Sequence, residues 1–151
     1  MEGSSMNNSK AIASPILSGL MLGLIGEYLM GFASAIAIPT EYFLWFKENI
    51  FADLGLIILS IAQNFMVFGL LALITGYLLS KLTPTHWLTN SIICYLSVLL
   101  YFSVGSALVH GGAISNPFAG LSNLYFLPAL VLPACLLAST YMASSKHNKT
   151  Y

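Results

Sequence analysis

Four long apolar blocks take up most of this chain of 151 residues and constrain its fold more than any other feature. They extend over residues 12–38, 54–80, 87–109 and 121–143. A helix needs about 20 apolar residues to cross the hydrocarbon core of a bilayer, so each block is long enough to do so. The blocks are apolar on all sides, whereas the strands of a membrane barrel alternate apolar and polar residues. We therefore predict an all-α membrane protein in which four transmembrane helices form one domain, 12–143.

Composition excludes several other classes of protein. Hydrophobic residues make up 58% of the chain and charged residues only 7%, and the formal net charge is zero. Soluble domains contain about 45–50% apolar and about 25% charged residues. A nucleic-acid-binding protein needs a basic excess to neutralise phosphates, and a disordered chain needs low hydrophobicity. We therefore expect the lipid bilayer to be the main partner, and no nucleic acid.

The lysines predict the orientation of the helices, because the chain contains five lysines and no arginine. If the N-terminal tail, 1–11, is cytoplasmic, four of the five are cytoplasmic: Lys10, Lys81, Lys146 and Lys149. Only Lys47 then lies outside, and the positive-inside rule favours this arrangement over its inverse. We predict an antiparallel bundle with the N-terminal tail and the C-terminal tail, 144–151, both in the cytoplasm. This topology fits a multi-pass protein of a bacterial inner membrane.

Aromatic residues stand near the predicted ends of the helices. Tyr42, Trp45 and Trp87 are such residues, and amphipathic rings favour the headgroup region of a bilayer. Segment 41–51 contains five aromatic residues, and it is interpreted either as a short interfacial helix or as an aromatic belt. The first block also has small residues typical of a signal-peptide cleavage site near residue 35, but it is far longer than the ~7–15 residues of a signal-peptide core.

Small residues recur at helical spacing and predict where helices approach each other in lipid. In the first helix they accompany Glu27 at steps of four: Gly19, Gly23 and Gly31. In the second helix they recur at steps of seven: Gly55, Ala62, Gly69 and Gly76. The two helices are consecutive, so we expect these two ridges to face one another. The alternative is that glycine is simply common in membrane helices.

The third and fourth helices carry further polar and helix-breaking residues. Polar or small side chains share one face of the third helix at i, i+4, i+7 and i+11: Asn90, Cys94, Ser97 and Tyr101. Pro128 and Pro133 lie inside the fourth block, and each leaves a carbonyl one turn earlier without its amide donor. We expect Cys94 and Cys135 to be free thiols, since both lie inside helices.

Glu27 is the residue that a bilayer tolerates least, because a charged carboxylate at the centre of a membrane helix costs at least ~2.5–3.5 kcal/mol. It lies on the small-residue ridge, so we expect its side chain to point into the bundle. A polar cluster is predicted around it at similar depth: Gln63, Asn64, Ser97 and Tyr101. Burial disfavours the charged form, and no lysine, arginine or histidine is expected at that depth. We therefore expect a protonated Glu27 that donates a hydrogen bond to Gln63, Asn64 or a carbonyl. The carboxyl is interpreted either as a proton or cation site or as neutral interhelical glue.

The sequence offers no sign of a cofactor, a metal site or soluble catalytic machinery. His86 and His110 stand at opposite ends of the third block, and no motif for a nucleophile elbow, a phosphate loop or a zinc helix occurs. The first hypothesis is a non-catalytic binding role, as an accessory subunit or as an immunity-type protein against a membrane-inserting toxin. The alternative is a small proton, cation or solute transporter or channel-like protein that uses Glu27 and works as a homo-oligomer. An enzyme is a third possibility.

Overall fold

A computed structural model describes residues 3–36, 44, 45, 48, 52–83, 86–114 and 124–147. This part of the chain is almost entirely helical and contains no strand. The helices contain four segments long and apolar enough to cross a membrane: Ile12–Ala33, Leu54–Leu82, Trp87–His110 and Leu127–Ser145. The predictions of an all-helical fold and of four helices of transmembrane length are confirmed.

Each of the last three helices changes its hydrogen-bonding pattern along its length. Helix α1 is Gly3–Ile36, and helix α2 consists of Ala52–Asn64, a π-helical turn at Phe65–Gly69, and Leu70–Leu82. Helix α3 consists of Trp87–Leu100, a π-helical turn at Tyr101–Gly105, and Ser106–His110. Helix α4 begins with a 3-10 segment at Leu124–Leu130, which contains Pro128, and continues as Val131–His147.

Two helix ends differ from the sequence prediction. Helix α1 begins at Gly3, so most of the predicted N-terminal tail, 1–11, is helical. Helix α4 extends to His147, four residues past the end of the block 121–143. The physical reason is that apolarity determines which residues lie in lipid, whereas a helix continues into water as long as its backbone hydrogen bonds form.

The four helices associate mainly as two pairs. Helix α1 packs most extensively on α3, and α2 packs most extensively on α4. A Cβ added at Gly19 would lie 2.3 Å from the carbonyl oxygen of Cys94 and 2.7 Å from the Cβ of Ser97. A Cβ added at Gly76 would lie 2.9 Å from the Cβ of Ser139. In both pairs the glycine lets one backbone approach the other closely, as membrane helices require for association.

The expectation that the small-residue ridges of α1 and α2 face one another is wrong. Gly19 and Gly23 face α3 and Gly76 faces α4, while Gly31 has nothing within 4 Å of an added Cβ. The reason is that small residues allow close approach to any helix that fits them, whether its partner side chain is small or a ring such as Tyr101, and not only to the nearest neighbour in sequence.

The remaining residues of the predicted α2 ridge differ in burial, Gly69 being buried, and the α1–α2 contact lies elsewhere. Ala62 is exposed and Gly55 half-buried, while Gly69 adjoins Val131 of α4. Helix α1 touches α2 through Gly26, whose added Cβ would lie 2.1 Å from the Phe68 ring. Gly26 does not belong to the step-of-four ridge, so the spacing of small residues does not predict this contact.

Order along the chain shows which helix ends meet. Later residues of α1 lie against later residues of α3: Gly19 against Cys94, Gly23 against Tyr101, and Glu27 against Tyr101 and His110. The two helices α1 and α3 therefore point in the same direction. The starts of α2 and α4 also contact each other. We call the end of the molecule that holds Ala33, Leu54, His110 and Leu127 the distal end, and the opposite end, with Ile12 and Trp87, the proximal end.

The core between the pairs is apolar in the middle and rich in hydroxyls toward the proximal end. Its apolar members include Leu22, Val98 and Leu136, each at most 3% exposed. Toward the proximal end, the hydroxyls of Ser91 and Thr140 lie 2.7 Å apart and link α3 to α4. The cysteines at positions 94 and 135 are free thiols, as predicted.

We predict that Gly19→Ala destabilises the protein whereas Gly31→Ala does not. The methyl group at position 19 would overlap the backbone of α3 and force the helices apart, at a cost of about 1–3 kcal/mol. At position 31 the same methyl group enters open space and, with its better helix propensity, stabilises by at most about 1 kcal/mol. Reversible unfolding in mixed detergent measures both. Equal stability of the two variants would contradict the α1–α3 packing.

Candidate functional site

Glu27 lies on the distal side of the middle of the apolar stretch Ile12–Ala33 of α1. It stands six residues before Ala33, the last residue of that stretch, which is about 9 Å along a helix. Its side chain is 28% exposed. The carboxyl group is therefore partly enclosed by protein.

The phenol of Tyr101 binds this carboxyl group directly. Its hydroxyl donates a hydrogen bond of 2.6 Å to Oε2 of Glu27, so Glu27 is the acceptor rather than the donor in this bond. The tyrosine is only 5% exposed, and its ring covers Gly23, where an added Cβ would lie 2.7 Å from Cδ1. Only glycine leaves room for the ring at this position, so the ridge on α1 is also what admits the hydrogen-bond donor.

The position of Tyr101 depends on the π-helical turn that it begins. A π-turn widens a helix locally and occurs often at functional sites. The turn ends at Gly105, where an added Cβ would lie 2.6 Å from the Tyr101 ring. The phenol ring therefore lies between two glycines, one on each helix, and this arrangement fixes its direction toward Glu27.

His110 is the second group beside the carboxylate, and it corrects the expectation that no cationic residue lies at this depth. Its Nε2 atom is 3.4 Å from Oε2 of Glu27, and its side chain is 45% exposed. The Tyr28 ring meets the imidazole edge-on, with 5.9 Å between centroids. The expectation failed because Glu27 is displaced from the middle of its stretch toward the distal end, which brings the last residue of α3 within reach.

Glu27, Tyr101 and His110 together form what we call the carboxylate cluster. Histidine changes its charge within the physiological pH range, and a protonated imidazole beside a carboxylate forms an ion pair. The same oxygen atom accepts the tyrosine hydroxyl, so the cluster can hold a proton or a cationic group at its exposed side. A sequence signal for His110 exists. This histidine directly follows the apolar block 87–109, at the end of the bundle toward which Glu27 is displaced.

The other residues of the predicted cluster occupy different positions. Ser97 lies one turn before Tyr101, opposite Gly19, and its hydroxyl donates to the carbonyl of Ile93 at 2.8 Å. Asn64 donates to the carbonyl of Ser60 at 2.9 Å and lines a cavity between α2, α3 and α4. Gln63 is half-buried on α2, and its proximity to Glu27 stays a prediction.

The face predicted on α3 is confirmed as a buried surface. Its four residues are between 0% and 6% exposed: Asn90, Cys94, Ser97 and Tyr101. Asn90 donates to the hydroxyl and the carbonyl oxygen of Thr83 at the end of α2. This polar face therefore joins α3 to α1 and α2 instead of contacting lipid.

The aromatic residues expected at the membrane surface are only partly described. Trp45 is exposed, and Trp87 meets the Tyr141 ring edge-on with 5.3 Å between centroids. Tyr42 lies outside the described residues. Trp87 is the first residue of the apolar stretch of α3, which is where an interfacial ring is expected.

Chemical machinery beyond the carboxylate cluster is limited in the part of the chain that the structure describes. No group of three or more histidine, cysteine, aspartate or glutamate side chains is placed there to hold a metal ion. No protein-family model, curated protein or solved structure matches this chain. Function must therefore be argued from the cluster and its surroundings.

We predict that Tyr101 and Glu27 are energetically coupled. In a double-mutant cycle with Tyr101→Phe and Glu27→Met, the unfolding free energies should give a coupling of about 0.6–1.7 kcal/mol, the range for hydrogen bonds between membrane helices. Glu27→Gln keeps an acceptor oxygen and should retain most of that coupling. Tyr141→Phe, at an exposed ring on α4, is the control. Zero coupling between Tyr101 and Glu27 would show that the bond does not form.

Proposed function

We propose that this protein spans a bacterial inner membrane as an antiparallel four-helix bundle with both termini in the cytoplasm. The distribution of the lysines supports this orientation. When consecutive helices alternate in direction, the first and the third helix run the same way, as α1 and α3 do. The distal end, with its carboxylate cluster, then faces the outside of the cell.

Within this topology we propose a non-catalytic binding role, as an accessory subunit or an immunity-type protein. The observation that carries the proposal is an apolar layer in the bundle. Leu22, Val98 and Leu136, each at most 3% exposed, lie between the carboxylate cluster and the hydroxyls of Ser91 and Thr140. Polar groups on the two sides of this layer are thus separated by buried apolar side chains, which favours binding over conduction through a single chain.

A partner surface is available next to the cluster. Leu108 and Ile114, near the end of α3, are 79% and 74% exposed. Gly111 between them has a φ of 69°, a left-handed conformation that ends the helix and redirects the chain. Ile114 lies beyond the apolar stretch that ends at His110, so lipid alone does not account for its exposure. An apolar patch beside ionisable groups is typical of a protein interaction site.

The second candidate function is a proton, cation or solute transporter that works as an oligomer. The close approach of His110 to Glu27 favours it, because a relay needs a second ionisable group. The apolar layer requires that any such pathway run between copies of the chain instead of through one bundle.

Reconstituted liposomes distinguish these two functions. For a binding role, we expect the wild type and Glu27→Gln to leave an imposed proton or sodium gradient as stable as in protein-free vesicles. Flux by the wild type that Glu27→Gln abolishes would overturn the binding role in favour of transport.

Photo-crosslinking in the native membrane tests where a partner binds. A photo-crosslinking residue at position 114 should give one discrete adduct in the native membrane. The matched control is position 66 on α2, where Met66 is 69% exposed within the apolar stretch, and there we expect lipid adducts only. Lipid adducts alone at both positions would contradict a partner at the distal end of α3.

A further inference from the structure

A cavity of about 210 Å³ lies between α2, α3 and α4, and none of the residues of the carboxylate cluster lines it. Its volume exceeds the ~150 Å³ of a protein cavity that admits a benzene molecule. The space is therefore sufficient for one six-membered ring and a few substituent atoms. Protein interiors are otherwise close-packed, so an opening of this size in a small bundle requires an explanation.

The walls of the cavity are suited to a planar ring. Three aromatic side chains line it, Phe68 on α2 and Tyr95 and Phe102 on α3. The rings of Phe68 and Phe102 meet edge-to-face, with 5.7 Å between centroids and an interplanar angle of 76°. Aromatic rings favour edge-to-face or offset contacts with other rings. A flexible acyl chain gains no such directional contact.

Polar groups on the same walls can hydrogen-bond a ring substituent. Asn64 and Tyr95 both line the cavity. The amide of Asn64 uses one N–H for the Ser60 carbonyl, and a side-chain amide has a second N–H and an acceptor oxygen. The phenol of Tyr95 adds a hydroxyl, which can donate as well as accept. Hydrocarbon needs none of these groups, whereas a carbonyl or hydroxyl oxygen on a ring does.

The seam between α3 and α4 offers space for an attached chain. A second cavity, of about 50 Å³, lies along this seam and shares Tyr95 with the first. Pro133 and Leu137 of α4 line it together with Ile92 of α3. Leu137 is 37% exposed and Ile92 49% exposed, so the seam is open to the outer surface of the bundle. Ala129, on the wall of the larger cavity, is also exposed, so a ligand dissolved in the bilayer can reach this cavity from the side.

We propose that this cavity binds the head group of a membrane-soluble quinone or phenol. The ring lies among Phe68, Tyr95 and Phe102, its oxygens meet Asn64 and Tyr95, and its apolar chain follows the seam between α3 and α4. This is a small-molecule site in addition to the partner surface at the distal end, and it does not depend on that surface.

Binding of a defined probe tests the proposal. The probe is a fully substituted benzoquinone with one isoprenyl unit, titrated against the full chain in lipid nanodiscs with protein fluorescence quenching as the readout. We expect saturable binding to the wild type. Ala129→Leu, which places three more carbon atoms at the cavity wall, should weaken binding by at least about tenfold, which is 1.4 kcal/mol. Ala134→Leu is the matched control, at an exposed position of the same helix that lines neither cavity.

A second variant tests the proposed hydrogen bond from Asn64 to the ligand separately from the shape of the cavity. Asn64→Leu should weaken probe binding by about two- to tenfold, the effect of one net hydrogen bond, and the circular dichroism melting curve reports whether the variant folds. No saturable binding, or equal weakening by Ala129→Leu and Ala134→Leu, would overturn the proposal. Competition by dodecanoic acid at the affinity of the quinone would also overturn it, because the occupant would then be an acyl chain.

Discussion

Close approach of α1 to α3 is the constraint on which the rest of the structure depends. Lipid is as apolar as leucine, so helices in a bilayer gain little from hiding apolar side chains and associate through close packing and hydrogen bonds. Gly19 and Gly23 remove the side chains that would hold the two backbones apart. The same approach lays the Tyr101 ring over Gly23 and carries its hydroxyl to Glu27. The position of the one acidic side chain described within the apolar stretches thus follows from two glycines and from the π-turn that begins at Tyr101.

The structure separates polar groups into two zones with hydrocarbon between them. The carboxylate cluster occupies the distal end, and hydroxyls such as Ser91 and Thr140 join the helices toward the proximal end. The second pair, α2 and α4, depends on the same kind of contact, because Gly76 admits the backbone of α4 and the hydroxyl of Ser139 donates to the Leu73 carbonyl. The carboxylate cluster therefore lies at the distal end of the bundle, and the two cavities lie beside α3 and α4. That arrangement favours recognition of a partner at the distal end and of a lipid-soluble ring at the cavity.

The sequence predicts the number and type of the helices, because apolar length is a direct consequence of bilayer thickness. It also predicts that one face of α3 carries small and polar residues and that Tyr101 belongs to a polar cluster around Glu27, since these follow from helical periodicity and the cost of an unpaired carboxyl. It does not predict that α3 covers the glycines of α1. Small residues indicate that some helix is close, but not which one, and α2 and α3 offer similar faces. Nor does it predict the contact of His110 with Glu27, because the block 12–38 places Glu27 nearer the middle of its helix than the stretch Ile12–Ala33 does.

Disulfide cross-linking tests the α1–α3 contact most directly. In a variant without the native cysteines, Gly23→Cys is combined with either Tyr101→Cys or Gly69→Cys. An added Cβ at position 23 lies 3.0 Å from the Cβ of Tyr101, close to the ~3.5–4.5 Å of a disulfide. The predicted result is that the 23–101 pair oxidises within one chain at low protein concentration and the 23–69 pair does not. Formation of the 23–69 disulfide without the 23–101 disulfide would contradict the account, because the glycine face of α1 would then pack on α2.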